Sequence, residues 1–269
     1  MPVRAERVFA IVLRQVYLFR GSPARVLPLF AWVAIDIVLW GFITRYLNSV
    51  TASGFNFVPA LLGAVLLWDF FARVMQGVTT AFFEDVWSRN FLNIFATPMR
   101  ISEYLSGLVL SSVMTSLVGL AVMLVLASVV FGLSFVAYGL ALIPFLLVLF
   151  LCGIALGILG SAVVLRLGPA AEWLIWPVPA MLSPFTGVFY PLSTLPQWMQ
   201  WIARVLPPSY IFEGMRAALA GARVSAGNLA AGGSLAVVYL ILAGMYFTGT
   251  YRRALRTGLI VRYSAESLS

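Results

Sequence analysis

Long apolar stretches alternate with short polar breaks along this chain. A helix that crosses a bilayer needs about 20 largely apolar residues. Six stretches meet that need: residues 24–47, 58–80, 103–131, 138–166, 172–190 and 229–250. The third and fourth are long enough to tilt or to run past the hydrocarbon. The fifth is short and holds Pro177, Pro179 and Pro184, so a kink or break is expected there. No soluble domain fits between the stretches, since the longest connection is 191–228. The pattern predicts an all-α polytopic membrane protein with six transmembrane helices, forming a single domain over residues 1–269.

The breaks have periodicity of their own. In residues 1–22, Arg4, Arg7 and Arg14 fall on one side at 100° per residue, and Val8, Phe9, Val12, Leu13, Val16 and Phe19 on the other. That predicts an amphipathic helix in the membrane interface, turned into the first span at Gly21-Ser22-Pro23. Arginines continue to position 20 and no apolar core precedes a small-residue cleavage site, so this is not read as a signal peptide. Between the second and third spans lies EDVWSRNFLNIFATPMR, residues 84–100. Trp87, Phe91, Ile94 and Phe95 share one helical face, and Asp85, Arg89 and Asn93 another. Pro98 ends the segment, which predicts a short amphipathic helix over 84–97. Two readings fit it: a helix resting on lipid headgroups, or one that docks a soluble partner.

Between the fifth and sixth spans, residues 191–221 predict two short helices. PQWMQWIARVL opens with a proline and is stopped by Pro207-Pro208, and SYIFEGMRAAL then begins with a serine cap. Their apolar content favours re-entry into the membrane over a surface position, with irregular backbone covered by protein.

Composition narrows the class. The chain is 62% hydrophobic and 10% charged, with mean hydropathy +1.01, against about 25% charged residues in a soluble domain. All 17 basic residues are arginine. Without lysine there is no G-x-x-x-x-G-K-[ST] phosphate loop and no Schiff-base chemistry. Without histidine, and with Cys152 as the one cysteine, common zinc sites, disulfides and Ser-His-Asp or Cys-His catalysis are excluded. Twelve arginines fall on one side of the predicted spans and four on the other, with Arg73 inside the second span. The positive-inside rule then places both termini in the cytoplasm.

Asp36, Asp69 and Arg73 fall within spans. A central charge costs about 2.5–3.5 kcal/mol on insertion scales, so it should be paired or face water. Asp69 and Arg73 are spaced for an i, i+4 pair, and Asp36 lies at similar depth on an antiparallel neighbour. These residues are expected to form a cluster. A staple between the first two spans is favoured over a substrate-facing role. Gly153, Gly157 and Gly160 mark a close-packing face in the fourth span.

The stretch FTGVFYPLSTLPQWMQWIARVLPPSYIFEGMRAAL resembles the C-terminal signature of the type-2 ABC exporter permeases, which include polysaccharide and drug exporters. Gly187, Val188, Phe189, Tyr190, Pro191, Leu195, Pro196, Trp198, Pro207, Glu213 and Arg216 carry that likeness, and WSRNFLNIFATPMRISEYL resembles the family's connection between spans two and three. The resemblance implies a permease that dimerises with itself or a relative and binds cytoplasmic ABC ATPase subunits, on which ATP and Mg reside. It implies a coupling helix carrying Glu84, Asp85, Trp87, Arg89, Phe91 and Phe95, and an external gate carrying Tyr190, Pro191, Trp198, Glu213 and Arg216. It implies an exporter in the bacterial inner membrane, among lipids, with no nucleic-acid partner, no bound metal and no catalytic residue of its own. Glycan, lipid and drug substrates all stay open. Two other classes are weighed: a channel or secondary transporter, and an intramembrane carboxylate enzyme. Against the first, no inverted repeat is visible. Against the second, no paired catalytic spacing is.

Overall fold

The computed structural model describes residues 4–50, 58–88 and 91–258. Every regular element among them is helical. Helix α1 spans Ala5–Arg20 and α2 Pro23–Val50. A π-helical turn at Val58–Leu62 leads into α3, Gly63–Trp87, and the short α4 covers Phe91–Ala96. Helix α5 runs Ile101–Phe131, and a 3-10 turn at Phe135–Ala141 leads into α6, Leu142–Leu167. Then come α7 at Glu172–Ile175, α8 at Val178–Thr186, α9 at Gln197–Arg204, α10 at Pro207–Leu219 and α11 at Ala226–Arg256.

Four helical stretches among the described residues are long and apolar enough to cross a membrane: Val58–Trp87, Ile101–Phe131, Tyr138–Leu167 and Ala226–Arg256. Helix α2, with 28 residues, has the length as well. The fifth predicted stretch is not one helix. It breaks at Trp176-Pro177, and the nine residues of α8 rise only about 14 Å. The prolines explain it, because each removes a backbone donor and crowds the preceding turn. The helix expected over 84–97 is also divided. Glu84–Trp87 is the last turn of α3, closed by Ser88 N–H donating to Glu84 O at 2.9 Å, and α4 begins only at Phe91.

Helix α3 is the buried axis of the bundle. Phe71, Val74, Val78 and Phe82 are fully buried along it. It packs between α5 and α6, while α6 also packs on α11. The α3–α6 contact depends on small residues. A Cβ at Gly153 would sit 2.9 Å from Phe71 O, and one at Gly157 would sit 2.8 Å from Val78 Cβ. Backbones therefore approach where side chains are absent. Helix α5 ends at Gly132, whose φ of 68° suits glycine.

The connections sort into two ends. The Val58–Leu62 turn, the Phe135–Ala141 turn and α10 meet at one, the distal end. Helix α1, the α3–α4–α5 connection and the C-termini of α6 and α11 lie at the other, where most arginines gather. Helix α1 packs on α5 with Ile11 and Val12 buried, while Phe9, Leu13 and Val16 stay exposed.

Replacing Gly157 with valine should separate α3 from α6. Overpacking of this kind costs about 1–3 kcal/mol, so the variant's thermal unfolding midpoint in nanodiscs should fall. A Gly244→Val control, where a Cβ meets nothing within 4 Å, should leave the midpoint in place.

Candidate functional site

A cavity of about 640 Å³ opens among α1, α2, α3 and α5. Helix α3 contributes a polar stripe to its wall: Asp69, Arg73, Gln76, Thr80 and Glu84, successive turns on one face. Helix α5 adds Ser111, Ser112 and Thr115, α2 adds Trp32 and Asp36, and α1 adds Gln15 and Phe19. Trp176 reaches it from the break between α7 and α8. The structure thus brings Asp36, Asp69 and Arg73 onto one wall, and the guanidinium acts electrostatically on both carboxylates. The arrangement differs from a simple staple of two helices. Helix α2 packs mainly on α5 and the Val58–Leu62 turn, and only lightly on α3.

Arg73 also borders a second, apolar slot of about 220 Å³ between α1 and α5. Val12, Val16, Met114 and Val118 line it, and it shares Gln15, Phe19, Arg73, Ser111 and Thr115 with the polar cavity. The Arg73 stem crosses α5 at Gly119, where a Cβ would meet Cδ at 2.8 Å. Gln15 is 2% exposed, and its Nε2 has no hydrogen-bond partner among the described residues.

At the arginine-rich end, α1 is tied down by ion pairs. Arg14 pairs with Asp85, which is 1% exposed and also accepts from Tyr104 Oη at 2.7 Å. Arg7 Nη1 donates to Glu103 Oε2 at 3.0 Å. Glu103 further accepts from the backbone N–H of Arg100 at 2.9 Å and of Arg4 at 3.1 Å, which caps α5. The arginine side of α1 therefore faces protein, and Asp85 is turned into the bundle instead of toward an external partner. Trp87 is exposed and Glu84 lines the cavity. Arg89 lies outside the described residues, as do the side chains of Phe91 and Phe95.

At the distal end, one pair organises the turn between α8 and α9. Glu213 Oε1 accepts from Leu192 N at 2.7 Å and from Arg216 Nη2 at 2.9 Å. Arg216 Nη1 donates to Gly187 O at 2.6 Å. Gly187 adopts a φ of 64°, which a side chain would strain. Tyr190 Oη donates to Pro184 O at 2.7 Å. Phe189 stacks on Trp40 of α2 with centroids 5.1 Å apart. Trp198 meets Phe185 edge-on at 6.3 Å and is itself exposed, as is Pro191. The Glu213–Arg216 pair thus clasps the Gly187–Leu192 turn to α10.

Gln15, Gln76, Thr80 and the α5 hydroxyls also line the cavity, beyond the residues expected from sequence. The polar stripe on α3 was the available signal, since its members recur at three- and four-residue spacing through a span.

Long apolar helices around a polar, charged cavity point to a multi-pass membrane protein. The ABC-2 type transporter family model matches residues 6–220, and the chain belongs to that family. No curated protein matches it. The chain is accordingly a membrane-spanning permease subunit of an ABC transporter.

Two variants test these contacts. Arg14→Ala leaves the Asp85 carboxylate buried without its cation, which costs about 3–5 kcal/mol. Its unfolding midpoint in nanodiscs should drop well below that of Tyr104→Phe, which loses one hydrogen bond worth about 1 kcal/mol. Arg216→Ala should raise hydrogen exchange and protease cleavage across Gly187–Leu192 while leaving α3 and α6 protected.

Proposed function

We propose that this permease is the membrane half of an ATP-driven exporter. The observation that carries the proposal is the family match over residues 6–220 in a chain with no lysine, hence no phosphate loop. Energy then comes from a separate cytoplasmic ABC ATPase, which holds ATP and Mg. The permease binds none itself and catalyses no reaction. Two permease copies, identical or related, enclose the pathway. Each copy crosses the membrane six times, the fifth crossing broken at Trp176-Pro177, with cytoplasmic termini in a bacterial inner membrane. The excess of arginines at the end bearing α1 supports that orientation.

On this reading the α3–α4 junction meets the ATPase. Trp87, Asn93 and Ala96 are exposed there. The ATPase must bind two permease conformations with different affinity, or ATP would do no work on the pathway. Ion pairs Arg14–Asp85 and Arg7–Glu103 join that junction to α1, and Gln15 and Phe19 of α1 line the polar cavity. Movement at the junction is thereby carried to the cavity wall. At the outer end, α9 and α10 re-enter the membrane and close the exit, with the Glu213–Arg216 clasp setting their position.

Co-expression with the cognate ABC ATPase tests the reading. The two should co-purify. Trp87→Ala and Phe91→Asp should weaken the association, whereas Trp201→Ala, on exposed α9, should not. A permease that never co-purifies with the ATPase would defeat the proposal.

A further inference from the structure

Resting on the transport reading above, we infer that the cavity is a binding site for an amphipathic organic cation. The cavity is about 640 Å³, within the range of about 300–1,000 Å³ that small-molecule sites occupy. Its lining carries two carboxylates within the spans, Asp36 and Asp69, against one guanidinium, Arg73. A cation is the complementary charge for such a wall. Trp32 and Trp176 present indole rings to the same space, and aromatic faces attract cations. An anionic ligand would meet a carboxylate beyond the one that Arg73 offsets.

The adjoining slot decides the rest of the ligand. It is apolar apart from its border with the cavity, and its volume of about 220 Å³ suits a ring or a short hydrocarbon arm. Gln15 stands where cavity and slot meet. Its buried amide N–H lacks an acceptor among the described residues, and a buried donor left unmet costs about 1–3 kcal/mol. Asp69 Oδ2 is likewise buried without a hydrogen bond there. The ligand that satisfies all of these combines a positive charge with apolar bulk. It also has an acceptor oxygen for the Gln15 amide.

Rhodamine 6G has that chemistry: a delocalised cation with an aromatic body and an ester oxygen. Fluorescein is an anion of similar size. Fluorescence anisotropy with the full chain in phosphatidylcholine nanodiscs, without ATP or ATPase, reads binding directly. Rhodamine 6G should bind saturably and fluorescein should not. Asp36→Asn and Asp69→Asn should each weaken rhodamine 6G binding about tenfold. Gln15→Leu should weaken it severalfold. Only variants that keep the wild-type elution position are scored. Where an aspartate variant fails to fold, the other aspartate variant and Gln15→Leu carry the test. Equal affinity in all variants, absence of saturable binding, or equal binding of fluorescein would overturn the inference. Because no ATPase is present, failed ATPase association leaves this result standing. Intact association with no dye binding overturns the cation site alone.

Discussion

Charge beside hydrocarbon has to be met by opposite charge or by a polar space, since an uncompensated ion at mid-bilayer costs about 2.5–3.5 kcal/mol on insertion scales. Much of this architecture follows from how its acidic residues answer that demand. Asp85 takes Arg14 and Glu103 takes Arg7, which fastens α1 to α3 and α5. Glu213 takes Arg216, which fastens the Gly187–Leu192 turn to α10. Asp36 and Asp69 instead share a polar cavity with Arg73. The paired acids define fixed joints, and the cavity acids line a polar space inside the bundle.

The joints sit on either side of a rigid axis. Helix α3 is buried by α5 and α6, and glycines at 153 and 157 bring its backbone within van der Waals reach of α6. A dense contact of this kind transmits displacement and does not absorb it. The same helix carries the polar stripe from Asp69 to Glu84 on its remaining face. One element therefore joins the packed half of the bundle, the cavity wall and the junction with α4. The break at Ser88 matters for this reason: α3 ends there, and α4 is a separate short piece.

Several features were legible from residues alone, because membrane helices satisfy their backbone within one segment and so leave a local record. Four of the expected spans coincide with long apolar helices, with α3 and α11 extending past the predicted ends. The proline-rich fifth stretch was expected to break, and it does. The glycine face of α6 was expected to pack closely, and it does. The likeness of the tail signature agrees with the family match. The reading of 84–97 as one helix followed a correct periodicity through a real interruption. Periodicity alone does not register a turn such as the one at Ser88.

Sequence by itself determined the class of protein, its all-helical character and where most long helices lie, since hydropathy and proline act within a few residues. Tertiary structure alone decided which polar groups meet. Arg14 finds Asp85 across 71 positions, and Arg7 finds Glu103 across 96. Gln15, Ser111 and Thr115 join Asp36 and Asp69 at a cavity that no single segment encodes. The reason is geometric. Spacing along a helix sets which residues share its face, but the partner of that face depends on how neighbouring helices pack against it.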